Sequence, residues 1–423
     1  MLNSHAKFVY WLKILSKFIS VQLLVQGLGL GSGLLLVRTL NKQEYAYFTL
    51  ANSLQATMSL LADSGISSAL SAIGGKVWQD PYRFGQLINT AMQWRRTLAV
   101  FAIILISPLL LWMLLKNGAS ISYATLLVAG VVIELNFYLS DGVLRVVLRL
   151  NSQINQIQRL DLLFAISRLT LLLGSLSIFL NAAVGIFAST ISSGIKNWFL
   201  WQWVKKTVEL KAPINQDDEK GILKIVKYQA PNTIFYSFQG QLTIWLITIF
   251  GSTQNIAEIG ALSRLGVFFS IISSIMNNIV LPSFARCQLY EVLLKRYISI
   301  IGAYLLIASF LLAFASVFSH QLLWLLGQQY SNLEEQVFFI VLSTMTNSIA
   351  GILWSINTSK GWLEQAWMFV PTIIFTQVLL ITCTNLDFST IRDVLLFNTF
   401  SIIPAACINF YMTYKGLKSM KPS

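Results

Sequence analysis

The sequence predicts an all-α, polytopic membrane protein, because its composition and its apolar runs both match chains that cross a bilayer many times. Of its 423 residues, 55% are hydrophobic and only 11% are charged, whereas about 25% of the residues in a typical soluble domain are charged. Apolar runs of about 18 to 25 residues recur along the whole chain, and each can cross about 30 Å of hydrocarbon as a helix. The second half of the chain also restarts a pattern found in the first.

We place about twelve transmembrane helices along the chain, with no soluble domain between them. The second is the most polar, because Asn52, Gln55, Ser59 and Asp63 recur in it at helical spacing. Side chains at this spacing share one helix face, and lipid cannot solvate such a face. The predicted spans are residues 18–37, 45–66, 97–115, 121–141, 160–180, 182–203, 228–250, 258–281, 298–318, 335–357, 365–383 and 393–414.

The repeated pattern is a helical hairpin, residues 25–70, with a short polar turn. Asn41 precedes Glu44 by three residues, which is the spacing of a capping box. We therefore predict that Asn41 caps the second helix and that Glu44 reaches back to the free amide. A displacement of 214 residues places Asn255 and Glu258 on these two positions. Corresponding hairpins in two halves of similar length are typical of transporters with internal repeats.

The repeat divides the chain into three predicted segments. Residues 1–210 form an N-terminal six-helix bundle, and residues 228–423 form a C-terminal six-helix bundle. Residues 211–227 lie in the polar stretch between them and are predicted to form a cytoplasmic linker.

The charge distribution predicts the topology. The chain has a net charge of +13, and 23 of its 30 Lys and Arg residues fall on one side of the predicted spans. Because cytoplasmic loops carry the excess of Lys and Arg, both termini are predicted to be cytoplasmic. The basic surplus therefore indicates topology and some attraction to anionic membrane lipids, and we predict no nucleic-acid partner.

Several ionisable side chains fall inside the predicted spans, where each costs about 2.5–3.5 kcal/mol to insert. Two interpretations are open. In the first, the charges only pair with one another and hold the first half together, as buried ion pairs often do. Alternatively, the cations attract an anionic substrate and a carboxylate binds a coupling proton or cation. The cations are Arg168, Lys196 and Arg264, and the coupling-ion candidates are Asp63, Glu134 and Asp141.

The sequence does not indicate an enzyme, a cofactor or a metal site. The two histidines, His5 and His320, lie in the amino-terminal tail and a short outer connection, so catalysis or metal binding built on His is not expected. The glycine-rich run at residues 27–33 lacks the preceding strand of a nucleotide-binding motif, and its small-x-x-x-small spacing predicts close helix packing.

The residues of the two hairpins resemble those of the Wzx-type polysaccharide and O-antigen flippases of the multidrug/oligosaccharidyl-lipid/polysaccharide (MOP) superfamily. In residues 34–70, Arg38 follows the first span, Glu44-Tyr45 opens the second and Asp63-Ser64-Gly65 closes it. In residues 250–286, Glu258-Ile259-Gly260 opens a span and Leu281-Pro282 closes it. The chain departs from the family in Tyr45-Ala46, where Tyr-Gly is usual, and in the absence of an acidic residue from residues 239–247.

The resemblance implies two six-helix bundles around a central cationic cavity, a MATE-like MOP fold. It implies alternating-access movement of an undecaprenyl-diphosphate-linked oligosaccharide, an O-antigen or capsule repeat unit, to the outer leaflet of the bacterial inner membrane. The implied partners are this lipid-linked substrate, membrane lipids, a coupling proton or sodium ion, and polysaccharide assembly enzymes. The cations would meet the diphosphate or acidic sugars, and the amides would meet sugar hydroxyls. The substrate-binding candidates are Arg168, Lys196, Arg264, Arg38, Gln26, Gln55, Gln241 and Asn278.

Two alternatives stay open. A multidrug or small-molecule cation-coupled antiporter would share the fold, although its cavity should be aromatic and acidic. A membrane O-antigen polymerase or ligase should have a large basic outer loop, and residues 319–334 contain no Lys or Arg.

Overall fold

A computed structural model describes residues 4–176, 180–276, 280–281, 284, 287 and 289–420. These residues form sixteen α-helices and no β-strand. The chain is therefore all-α, as its apolar runs predict. The helices are α1 (Ser4–Thr39), α2 (Lys42–Asp63), α3 (Ile66–Val77), α4 (Pro81–Lys116), α5 (Ile121–Leu150), α6 (Ile154–Ser175), α7 (Ala182–Val204), α8 (Gln216–Gln239), α9 (Leu242–Phe250), α10 (Thr253–Leu262), α11 (Val267–Ile275), α12 (Tyr290–Val317), α13 (Ser319–Leu326), α14 (Glu334–Lys360), α15 (Phe369–Cys383) and α16 (Ile391–Ser419).

The chain forms two compact units, Met1–Ile244 and Trp245–Ser423. The first contains α1 to α8, and the second contains α10 to α16. The sequence places its linker earlier, at 211–227, and that division stays a prediction.

Eight stretches of the described helices are long and apolar enough to cross a membrane. They match the predicted first, third, fourth and eighth to twelfth spans. The other four predicted spans correspond to α2, α6, α7 and the pair α8–α9, which do not reach that combination of length and hydropathy. The eight stretches are Ser20–Thr39, Pro81–Lys116, Ile121–Leu150, Thr253–Ile275, Tyr290–Val317, Glu334–Lys360, Ala366–Cys383 and Ile391–Ser419.

Two predicted spans are broken helices. Residues 228–250 are not one helix, because α8 ends at Gln239 and α9 begins at Leu242 after a turn at Gly240. Within residues 258–281, α10 and α11 are separated by a 3-10 turn, Ser263–Gly266, which contains Arg264. Discontinuous helices are common where transporters bind substrates and ions.

Of the two hydrogen bonds predicted for the turn of the first hairpin, the structure confirms the one made by Asn41 and contradicts the one made by Glu44. Asn41 caps α2, since its side chain accepts a hydrogen bond from the Glu44 backbone N–H at 2.8 Å. Glu44 does not reach back to its own helix as predicted. Its carboxylate accepts hydrogen bonds from the Tyr123 hydroxyl at 2.6 Å and from the Ala182 backbone N–H at 2.8 Å. The glutamate therefore joins α2 to α5 and α7.

The second hairpin has the same cap three residues earlier than predicted. Ser252, and not Asn255, caps α10, and its hydroxyl accepts from the Asn255 backbone N–H at 3.3 Å. Asn255 therefore occupies the third helical position, which Glu44 occupies in α2. The displacement between the two caps is 211 residues, from Asn41 to Ser252.

A sharp turn separates α2 from α3. Ser64 has φ of 37° and Gly65 has φ of 97°, so both adopt the left-handed conformation. A Cβ on Gly65 would lie 2.6 Å from the Gln229 side-chain oxygen. Because a side chain is disfavoured there by both strain and space, glycine is needed at this position.

The prediction that the glycine-rich run of α1 packs closely against another helix is wrong for three of its glycines. A Cβ added at Gly27, Gly29 or Gly31 meets no atom of the described residues within 4 Å. The run therefore faces open space at these positions.

Candidate functional site

The first unit contains a chain of buried ion pairs centred on Asp141 of α5. The Lys196 ammonium of α7 lies 3.2 Å from one Asp141 oxygen. Arg145, one turn further along α5, contacts Asp141 at 3.2 Å and Asp161 of α6 at 2.8 Å. Three helices are therefore joined by alternating charges. We call these residues, with Asp63 and Arg95, the charge network.

The second branch of the network joins α2 to α4. The Arg95 guanidinium lies 3.3 Å from the Asp63 carboxylate, and Asp63 also accepts hydrogen bonds from the Ser67 backbone N–H and hydroxyl. Arg95 packs against α5, since a Cβ on Gly142 would lie 2.0 Å from its Nη1. Asp63 thus caps the first turn of α3 and neutralises a buried arginine.

The charge network has no net charge, because its three carboxylates face three cations. Its side chains are between 8% and 29% exposed. Removing one partner from such a buried pair costs about 3–5 kcal/mol. The pairing interpretation therefore describes Asp63, Asp141 and Lys196 in this structure. Their use as coupling-ion or substrate-binding residues stays a prediction.

Glu134 lies two turns from Asp141 on the same helix and is 3% exposed. The Ser193 hydroxyl lies 3.4 Å from its carboxylate. Arg168 of α6 and Lys196 lie near enough to interact with it electrostatically. Lys196 also lies over the rings of Phe164 and Tyr138, 5.2 and 5.7 Å from their centroids. The predicted residues Glu134, Asp141, Arg168 and Lys196 are therefore brought together.

Of the remaining predicted residues, Gln55 joins this group, since it is buried on α2 with its side chain close enough to interact with the Glu134 carboxylate. The others are spread along the chain. The Ser53 hydroxyl donates a hydrogen bond to the Gln241 side chain within the first unit. Gln26 is half-buried on α1, and Arg38 is exposed in its last turn. Asn278 lies outside the described residues.

Sequence reasoning missed Arg95 as a member of the site. The prediction placed it in a connection before residue 97, but α4 begins at Pro81 and Arg95 is 7% exposed inside it. The Asp80-Pro81 pair is a typical helix start, with Asp80 as cap and proline in the first turn. This signal could have moved the helix start and placed Arg95 inside a helix.

The second unit contains a cavity of about 450 Å³ between α11 and α14. Among the described residues, its walls consist of hydroxyl, amide and apolar groups, and none of these lining residues is charged. Its polar members on α14 follow Thr344 by three, four and eleven residues, at Asn347, Ser348 and Ser355, so they share one helix face. This spacing was available in the sequence but was not used. The lining residues are Gly266, Phe269, Ser270, Ser273, Thr344, Asn347, Ser348, Gly351, Ile352 and Ser355.

Comparison with known proteins identifies the fold. No protein-family model and no curated protein sequence matches the chain. Among solved structures, an inward-facing multidrug resistance MATE family transporter of the MOP superfamily has a TM-score of 0.74 at 14% identity, covering 96% of this chain and 100% of its own. The chain has the fold of the MATE transporters.

Two further MATE-fold structures agree. An outward-facing MATE transporter has a TM-score of 0.61 at 16% identity, covering 96% of this chain and 94% of its own. A MOP superfamily transporter from Pyrococcus furiosus has a TM-score of 0.59 at 15% identity, covering 96% of this chain and 95% of its own. The binding pocket of that transporter has reverse polarity, which suggests a different function for it. These comparisons do not confirm the resemblance to Wzx-type flippases within the MATE fold.

Proposed function

We propose that the chain moves an undecaprenyl-diphosphate-linked oligosaccharide from the cytoplasmic to the outer leaflet of the bacterial inner membrane, with both termini cytoplasmic. The observation that carries the proposal is the cavity of the second unit, whose described lining residues are uncharged. Its hydroxyl and amide groups lie on helices apolar enough to span a membrane. Polar groups at that depth require a water-filled or ligand-filled space, and a sugar supplies hydroxyls to match them.

The position of Arg264 fits the diphosphate of such a substrate. It lies in the 3-10 turn between α10 and α11, two residues before Gly266 of the cavity wall. A guanidinium is well suited to phosphate, because its planar donors match phosphate oxygens. The proposal therefore assigns the sugar to the cavity and the diphosphate to Arg264, with Arg38, Gln26, Gln55, Gln241 and Asn278 as further contacts along the pathway.

The first unit supplies the proposed coupling. Glu134 is buried beside Arg168 and Lys196 and belongs to no ion pair closer than 4 Å among the described residues. We assign the coupling proton or sodium ion to Glu134 in preference to Asp63 and Asp141, each of which already contacts a cation. Arg168 and Lys196 are then the cations that respond to the occupancy of Glu134.

The test is transport by the purified chain in proteoliposomes. A fluorescent undecaprenyl-diphosphate oligosaccharide in the inner leaflet becomes accessible to an external quencher when it is moved. We expect faster exposure than in empty vesicles, and at least a tenfold loss in Arg264→Ala, since a charge-assisted hydrogen bond contributes about 1.5–3 kcal/mol. Arg392→Ala is the matched control, because Arg392 is exposed and pairs with Glu335. Exposure at the rate of empty vesicles would exclude the function.

A cation-coupled antiporter is the second candidate, and the observation in its favour is the MATE fold, which the chain shares with multidrug resistance transporters. Its substrate would be an organic cation. The same vesicles, loaded with ethidium, distinguish the two candidates. Gradient-driven ethidium movement without lipid movement would favour the antiporter.

A further inference from the structure

The hydroxyl groups of the cavity in the second unit point to a specific kind of sugar. The Ser270 hydroxyl donates its proton to the Val267 carbonyl at 2.7 Å, and the Thr344 hydroxyl donates to the Ile340 carbonyl at 2.7 Å. The Ser355 hydroxyl donates to the Gly351 carbonyl at 2.8 Å. A hydroxyl has one proton and two lone pairs. These three side chains can therefore only accept hydrogen bonds from a ligand.

Asn347 adds a further acceptor to the same wall. One of its amide protons is donated to the Ser343 carbonyl at 2.9 Å, which leaves its side-chain oxygen and one N–H for a ligand. Asn347, Ser270 and Gly351 are all exposed although their helices are apolar enough to span a membrane. The wall is thus accessible. Three of the five hydroxyls in its described lining are restricted to accepting, whereas the Ser273 and Ser348 hydroxyls and one Asn347 N–H can donate, so acceptor positions outnumber free donors.

A wall with more acceptor positions than free donors favours ligands that bring donors. Each hydroxyl of a neutral sugar brings an O–H, whereas a carboxylate brings only lone pairs. An acidic sugar would lose the water around its carboxylate and meet further lone pairs, and burying an unpaired charge is costly. A drug cation would also bury an unpaired charge, because none of the described lining residues is acidic.

We propose that this cavity binds a neutral sugar residue of the substrate and rejects acidic sugars such as uronic acids. The inference rests on the proposed function and narrows it. The sequence alone left open whether the chain carries acidic sugars.

Gly351 provides a variant that fills the cavity without disturbing its wall. A Cβ there meets no described atom within 4 Å, and the residue lines the cavity. Gly302 of α12 is equally open and lies outside the cavity wall. Gly351→Leu and Gly302→Leu are therefore a matched pair.

The experiment measures binding to the full chain in detergent by thermophoresis. The two probes are synthetic undecaprenyl-diphosphate disaccharides that differ only in a terminal glucose or glucuronic acid. We expect the glucose probe to bind at least about tenfold more tightly than the acidic probe. The reason is that the glucose can form one or two hydrogen bonds with the cavity wall that the carboxylate cannot form. Gly351→Leu should abolish this preference, and Gly302→Leu should retain it.

A second variant removes an acceptor without changing shape. Thr344→Val should weaken the glucose probe by about 2- to 10-fold, the range for one hydrogen bond, and leave the acidic probe unchanged. Equal affinities for the two probes in the unmodified chain would overturn the proposal, as would an unchanged preference in Gly351→Leu. Displacement of the glucose probe by lower concentrations of ethidium would also overturn it, in favour of a cation site.

The binding assay tests the sugar assignment of the cavity and the transport assay tests the flippase function, so either hypothesis can be excluded without the other. Lipid movement with no sugar preference removes the neutral-sugar assignment and leaves the flippase. If Gly351→Leu abolishes the sugar preference but the unmodified chain moves no lipid, the sugar assignment of the cavity is retained and the flippase function is excluded.

Discussion

The Glu44 carboxylate accepts a hydrogen bond from the backbone N–H of Ala182 at 2.8 Å, so a side chain of α2 satisfies the first turn of α7. The second unit has a counterpart at the same helical position. Asn255 donates its side-chain N–H to the Ser389 carbonyl at 2.8 Å, one residue before Thr390 caps α16. In each unit the second helix of the hairpin is thus tied to the start of a later helix.

We expect Glu44→Ala to lower the free energy of unfolding by about 1–3 kcal/mol, because it leaves a buried N–H without an acceptor. Glu44→Gln retains one acceptor oxygen and should cost less. Asn255→Ala should cost about 0.5 kcal/mol, since its hydrogen bond is exposed. Denaturant unfolding in detergent measures all three. Equal stability of Glu44→Ala and the unmodified chain would contradict the prediction.

Asp141→Asn should destabilise the first unit by about 3–5 kcal/mol, because it leaves a buried ammonium and guanidinium undercompensated. The control is Glu335→Gln in an ion pair whose side chains are 55% and 58% exposed. Exposed pairs contribute about 0–1 kcal/mol. Thermal unfolding of the two variants in one detergent measures their losses of stability. Similar losses of stability in both variants would show that burial of the charge network is unimportant.

A double variant separates the two roles of Lys196. We expect Lys196→Met to lower lipid-linked oligosaccharide transport at least tenfold. If Lys196 only balances Asp141, the double variant Lys196→Met with Asp141→Asn should recover transport. We expect no recovery, because a cation that responds to the occupancy of Glu134 is not replaced by removing its counter-charge at Asp141. Proteoliposome transport, corrected for the amount of folded protein, measures both variants.

Gly65→Ala should destabilise the chain by about 1–3 kcal/mol, the cost of a left-handed non-glycine residue, with a further loss from contact with Gln229. Gly31→Ala is the control, because it lies in open space within α1. An alanine there should stabilise the helix by about 0.5–1 kcal/mol. We expect the melting temperature to fall in Gly65→Ala and to rise in Gly31→Ala. An unchanged melting temperature in Gly65→Ala would show that the turn relaxes to accept the side chain.

Local chemistry made part of the structure predictable. Asn41 caps α2 as predicted because the residues that form the cap are three apart. The partners of Glu44 lie 79 and 138 residues away, and a capping-box pattern carries no information about them. The breaks at Gly240 and Arg264 were missed because hydropathy does not distinguish a broken apolar helix from a continuous one.

The candidate site was predictable in its charges and not in its pairing. Asp141 and Lys196 lie together because intramembrane charges require partners. Which cation meets which carboxylate depends on helix rotation, and rotation is set by packing of distant segments such as Gly142 against Arg95. The uncharged cavity escaped notice because Ser and Thr in apolar helices are ordinary, since their hydroxyls bond to their own backbone.

The segment between the predicted halves is fastened to the first unit. Arg83 and Asp218 form a two-pronged ion pair, and Asn89 donates hydrogen bonds to the Leu210 and Ala212 carbonyls at 2.9 and 2.7 Å. Fragments divided at residue 211 for co-expression would therefore separate Asp218 from the surface that holds it. A cut after Gln241, in the turn between α8 and α9, would leave α8 with the partners it packs against, and it is the better site at which to divide the gene.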